Sequence, residues 1–181
     1  MKNTNQPTNF KSHKMKKYFT FILAILNFFM MNAQVLKGNL WTAKKVENTY
    51  VISINDKASI LESLTDFVTT QKIKAGQITG IGATNSATLR FFDPQTKKYV
   101  DKAFNEQMEI ANISGNISEN EGKPLLHLHI TLGRKDYTAL AGHLLDAKIR
   151  GAGEFIIYPI DSKIIKTKNE DVGLNFYDFE H

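Results

Sequence analysis

The apolar positions of this chain change period along its length, and the changes mark out its elements. Tyr50 to Ile54 is rich in β-branched residues and predicts a strand. Asn55, Asp56 and Lys57 follow as a turn. Ser59 then suits a helix N-cap, with Glu62 three residues on completing a capping box. Ile60, Leu61, Leu64, Phe67 and Val68 recur at helical spacing, which predicts a helix ending near Lys74, with Gly76 at its exit.

Beyond Gly76 the period drops to two. Strands are predicted over Gln77–Ile81 and Ala87–Phe92, with Gly80, Gly82 and Ala83 keeping the end of the first thin. Asp93 and Pro94 open a turn into a strand over Lys98–Phe104. Another long strand covers Gln107–Ile117, kinked or bulged near Gly115. A polar turn at Asn120, Glu121, Gly122 and Lys123 leads to a strand over Leu125–Leu132. Arg134–Gly142 reads as a loop or short helical turn, and Lys148–Ile160 as the last long strand. Many closely spaced strands with one clear helix predict an α+β fold with a largely antiparallel sheet. The weakly periodic stretch 34–48 reads as a lead-in with an edge strand around Trp41, so the domain proper is expected over 49–181.

The N-terminus has a different character. Lys14, Lys16 and Lys17 precede an apolar run from Tyr18 to Met31, which leads to Asn32, Ala33 and Gln34. A basic segment, a short apolar run and a small residue describe a secretory signal peptide. Cleavage is expected after Ala33, and Met15 is an alternative start. The run is shorter than the roughly 20 residues of a membrane-spanning helix. These features predict an exported protein, periplasmic or extracellular, with no stable span once the signal is removed.

Charge follows the same division. The chain carries a formal +5 from 23 basic and 18 acidic residues. Residues 1–33 hold five lysines and no acid, so 18 basic residues face 18 acidic ones from Gln34 onward. A neutral domain lacks the footprint of a nucleic-acid binder, and nucleic acid is not the expected partner. The runs Lys97–Lys98 and Lys163–Lys168 read as solvated faces. The glycines at 76, 80 and 82 precede no Gly-Lys-Ser/Thr, so they form no phosphate loop. Asn112 and Asn116 each begin a glycosylation sequon, but inside a predicted strand, and are read as structural.

There is no cysteine, so any metal must sit on histidine or carboxylate. His127 and His129 are two apart in a predicted strand and therefore share a face, while Leu126, Leu128 and Ile130 take the opposite one. His143 follows Ala141 and Gly142, where a small residue lets the backbone approach closely. Three imidazoles with an open fourth position make a catalytic-type zinc site. The competing reading is three surface or interface histidines that hold nothing.

Several segments occur together in a recognisable order: Gly80, Ile81, Gly82 and Ala83; Glu109 with Gly115 to Ser118; Gly122 through His127 to His129; Ala141 to Leu144; and Glu154 to Ile157. In this the chain resembles the plants-and-prokaryotes-conserved (PPC) domain, often described as DNA-binding. The resemblance spans roughly residues 50 to 179. It implies an antiparallel α+β fold, a homotrimer, and convergence of His127, His129 and His143 on a metal near a subunit boundary. That metal would be zinc or another divalent transition ion. Glu109 and Glu154 match acidic family positions, as partners of the ligands or a general base; ion-paired strand residues are the alternative. The chain departs from the family at Ala141, where glycine is usual. It also lacks the AT-hook of the plant members, since Arg150, Gly151 and Ala152 do not form one. Two functional classes follow: metal-assisted chemistry on an unidentified small molecule, or a non-enzymatic trimeric binding or scaffold module.

Overall fold

The computed structural model describes residues 35–180. The signal-peptide and cleavage expectations lie outside that range, as do His13 and His181. The first strands are β1 (Val35–Lys37), β2 (Trp41–Val46) and β3 (Thr49–Ile54), and the helix α1 (Ile60–Thr70) follows. Then come β4 (Ala75–Asp93), β5 (Lys98–Phe104), β6 (Met108–Asn120), β7 (Lys123–Gly133) and β8 (Ala139–Ile160). The short strands β9 (Ile165–Asn169) and β10 (Leu174–Asp178) end the chain. The sheet is antiparallel at every strand pairing but one, the single parallel contact of Glu119 with Ile165. Among the described residues this is the expected α+β architecture of mostly antiparallel sheet with one helix.

Four long strands carry the fold. β4 pairs with β6, β6 with β7, β7 with β8, and β8 with β4, so these ladders close on themselves. Ile78, Ile113, Leu128, Ile130, Leu144, Ile149 and Phe155 are all buried from these strands. The helix adds Ile60, Leu64, Phe67 and Val68, each fully buried. Alternation on each strand therefore sends one row to the core and the other outward.

The helix begins at the expected N-cap, and the Ser59 half of the capping box forms. The Glu62 amide donates to Ser59 Oγ at 3.0 Å. Asp146 on β8 supplies a second cap, accepting from the Ser59 hydroxyl at 2.8 Å and from the Leu61 amide at 3.2 Å. The helix stops at Thr70 rather than near Lys74. Lys72 takes a left-handed conformation (φ 55°), and the Ile73 amide turns back to the Val68 carbonyl at 3.0 Å. Gly76 lies instead inside β4, opposite Pro159 and Ile117.

Other local expectations also change. Gln77–Ile81 and Ala87–Phe92 are parts of one strand, β4, whose register with β8 shifts between Gly82 and Ser86. The fully buried Thr84 holds that irregularity, its hydroxyl donating to the Lys148 carbonyl at 2.6 Å and accepting from the Ser86 amide at 3.3 Å. The irregularity in β6 lies between Ile110 and Asn112, not at Gly115, where pairing with β7 is regular. Glycine is needed at 115 because a Cβ there would collide with the His127 carbonyl and the Leu128 side chain. The end of the 134–142 segment is strand rather than loop, since β8 starts at Ala139. The 34–48 stretch supplies β1 and β2; Trp41 is buried, meets Phe67 edge-on at 4.8 Å and donates its indole N–H to Asp66 at 2.7 Å.

Candidate metal centre

Two neighbouring strands bring the histidines together. Leu128 and Ile130 are buried, which turns His127 and His129 to the outer face of β7. On one side β8 pairs with β7 so that His143 lies directly across from His129. On the other side β6 places Ser114 across from His129 and Asn116 across from His127. Cross-strand partners have Cβ atoms about 5 Å apart, within reach of one another's side chains.

The imidazoles form a near-regular triangle. Their centroids are 5.2 Å apart for His127 and His129, 5.0 Å for His127 and His143, and 5.4 Å for His129 and His143. One nitrogen from each lies within 4.8 Å of the others. The Nε2 atoms of His127 and His129 approach to 3.3 Å. A tetrahedral zinc with Zn–N bonds of about 2.0–2.1 Å sets its nitrogens about 3.3 Å apart, so this pair already has the spacing of one edge of such a site. Among the described residues, this is the group of histidines and carboxylates with metal-binding spacing. The residues present therefore fit a divalent transition ion on nitrogen donors.

The electrostatics favour neutral rings. His127 is pushed down to about 4, first by desolvation of its crowded nitrogen end, then by the charges of Lys166, His143 and His129. The residue as a whole remains exposed, so the loss of water concerns that end of the ring rather than all of it. His143, half-buried, is lowered by desolvation, then by His129 and Arg90, with Asp101 opposing. Neutral imidazole is the form that ligates a metal.

The glycine before His143 plays a different part from the one expected. A Cβ at Gly142 would meet Leu89 only at ordinary van der Waals distance, 3.7 Å. His143 is placed by the β7–β8 ladder, not by a tight approach at Gly142. Glu109 and Glu154 stand apart from the triangle. Glu109 pairs with Gly133, four residues along β7 from His129 and so about 13 Å away along the strand. Glu154 lies far beyond His143 on β8, across from Ser53 and Ile81.

Residues not singled out in the sequence surround the histidines instead. Arg90 of β4 lies across from His143 and donates to both carboxylate oxygens of Asp101 on β5 through Nε and Nη2, at 2.7 and 2.8 Å. Lys166 of β9 is buried, 4% exposed, and donates to Asn116 Oδ1 at 2.8 Å. The Lys163–Lys168 run is thus not a uniformly solvated face. Its other members do reach solvent, with Lys163 pairing with Glu119 and Lys168 with Glu170. The available signal was the alternation of Ile165, Lys166, Thr167 and Lys168, but nothing local says which side would be covered. The sequon at Asn116 is structural, as its side chain accepts from Lys166.

The chain belongs to the Plants and Prokaryotes Conserved (PCC) domain family, also abbreviated PPC, whose profile matches residues 42–161. No curated protein matches it. Among solved structures it is similar to one from Bacteroides thetaiotaomicron, described provisionally as a DNA-binding protein. Identity is 52%, with 79% of this chain and all of that chain covered, at a TM-score of 0.78. A metal-containing protein from Archaeoglobus fulgidus is similar at 26% identity over 82% of this chain and 99% of that one, TM-score 0.68. A plant- and prokaryote-conserved protein from Pyrococcus horikoshii shares the fold at 22% identity, covering 79% and 97%, TM-score 0.67.

Proposed function

We propose that this PCC-domain protein is exported and binds a divalent transition metal, zinc by the chemistry of its donors, through His127, His129 and His143. The observation that carries this reading is the triangle itself: three ring nitrogens within 4.8 Å on rigid neighbouring strands, one pair already at 3.3 Å. Three protein ligands leave a coordination position free, which is the pattern of catalytic rather than structural sites. When bound, such an ion supplies a Lewis acid for chemistry on a small molecule. The chain's own part is to hold three neutral rings in place, with Lys166 bearing on His127 and Arg90 on His143. Glu109 and Glu154 do not stand close enough to the rings to move a proton there within this one chain. The Archaeoglobus relative, described as metal-containing, agrees with the reading. Elemental analysis of the purified protein decides it: about one metal per chain is expected, and none from a His127→Ala, His129→Ala double variant. A metal-free wild type would overturn it.

The outer face of β3, β4 and β8 presents exposed Val51, Ile81, Tyr158 and Ile160 along the row that also carries Glu154. An apolar strip of this kind supports self-association, and with it the homotrimer. Light scattering during size exclusion is expected to give three times the chain mass, and a monomer would rule the trimer out. If chelation also dissociates it, the metal serves to lock subunits together in a scaffold instead. Export predicts a secreted species beginning at Gln34, read by mass spectrometry; only a full-length cytosolic form would refute it. The description of the Bacteroides relative supports a second reading, nucleic-acid binding. Against it stands the neutral balance from Gln34 onward. A salt-dependent shift of duplex DNA at near-physiological ionic strength would favour that reading over ours.

A further inference from the structure

Lys166 holds a cationic group in a place where charge is expensive. Its ammonium is buried, and among the described residues no carboxylate pairs with it. Its contacts are one amide oxygen, Asn116 Oδ1 at 2.8 Å, and the ring of Tyr177, 4.7 Å from Nζ to the centroid. An ammonium has three donors, and these contacts engage one hydrogen bond and one ring face. Buried cations are ordinarily paired with anions.

The position of this group matters more than its burial. Asn116 is the cross-strand partner of His127, so the ammonium stands one side chain away from the triangle. On the far side, Arg90 flanks His143, but the Nε and Nη2 edge of its guanidinium is taken by Asp101. The triangle itself contains no carboxylate. A divalent ion on three neutral nitrogens would add two more positive charges beside Lys166. The carboxylate that does act on His143, Asp101, is already paired with Arg90, so Lys166 and an ion here would stand without an ion-pair partner among the described residues.

We propose that the site binds a small molecule through a carboxylate, which occupies the coordination position left free by the histidines and accepts a hydrogen bond from Lys166. This rests on the metal reading above and specifies the ligand class for it. One ammonium with donors to spare, beside one open position, suits a monoanion with two oxygens. Phosphate is served better by a forked guanidinium, and the Nε–Nη2 fork of Arg90 is already held by Asp101. Lys166 is in this sense a binding residue for ligand, supplied by the C-terminal hairpin of β9 and β10.

The test uses the full chain loaded with cobalt, whose visible spectrum reports changes at the ion. Acetate is titrated against acetamide, its neutral isostere, and against inorganic phosphate. Acetate is expected to perturb the spectrum saturably and to bind at least tenfold more tightly than either competitor. Lys166→Met is expected to weaken acetate at least tenfold while leaving cobalt affinity unchanged or tighter, because a like charge has been removed. Lys166→Arg should restore part of the loss. Equal binding of acetate and acetamide, tighter binding of phosphate, or undiminished acetate binding in Lys166→Met would each overturn the proposal. If Lys166→Met fails to fold by circular dichroism, the comparison of acetate with acetamide in the wild type decides alone. Failure of cobalt to bind, or equal binding in His127→Ala, would instead bring down the metal reading and this inference with it.

Discussion

The Nε2 atoms of His127 and His129 lie 3.3 Å apart on one face of β7. Two outcomes are compatible with that spacing. One ring can donate to the other, or both can turn to a shared ion. The presence of His143 in the same triangle favours the ion, since a hydrogen-bonded pair needs no third ring.

Metal binding should therefore contribute to stability. A ligand present at 100 times its dissociation constant stabilises the native state by about 2.7 kcal/mol. Adding a chelator is expected to lower the melting temperature of the wild type by several degrees. His127→Ala, already unable to hold the ion, should show almost no response. Differential scanning calorimetry with and without chelator measures both.

Acid should act on the metal-free protein through His127. Its folded value near 4 lies below the ordinary histidine value of about 6.5 expected in the unfolded chain. Between those two values the unfolded chain binds more protons than the native one, so stability rises with pH across this window. Urea titrations in chelator should show full stability above about pH 6.5 and a decline towards pH 4. His127→Gln should flatten that slope; an unchanged slope would assign the effect to other groups. Metal affinity should fall in the same direction, because protons compete for the same nitrogens.

Gly115 tests the frame that carries the site. Any Cβ there would strike the His127 carbonyl, which is backbone and has nowhere to move without disturbing the β6–β7 ladder. Gly115→Ala is expected to cost about 2–4 kcal/mol, in the range of severe core overpacking. Because the clash is at His127 itself, metal affinity should fall as well. Chemical denaturation and a metal titration read the two effects separately.

Asp146 links the helix to the histidine strand. It lies three residues after His143 on β8 and caps α1 through Ser59 and Leu61. Asp146→Ala is expected to destabilise by about 1–2 kcal/mol, the usual cost of losing a cap. Metal content should be unchanged, since the β7–β8 pairing at His129 and His143 does not depend on the cap. A loss of metal in this variant would mean that the helix positions the site.

Much of this was legible in the chain. Binary alternation around Leu128 and Ile130 places His127 and His129 on one outward face without any knowledge of the fold. Ser59 with Glu62 locates the start of the helix, because a cap is a local hydrogen bond. Local order fails where long-range pairing decides. Gly115 looks like a bulge but is a close-approach glycine, and the helix stops at Thr70 because Lys72 adopts a left-handed turn.

The site divides along the same line. The sequence by itself determined the composition of the cluster, with histidine as its donor and no cysteine. It also determined the common face of two of the three rings, which follows from the geometry of a single strand. Only the tertiary structure decided that His143 sits across from His129, that Arg90 is occupied by Asp101, and that Lys166 is buried beside Asn116. Each of these depends on register between strands far apart in the chain. Register is set by the whole pattern of ladders and core packing, and no local segment carries it.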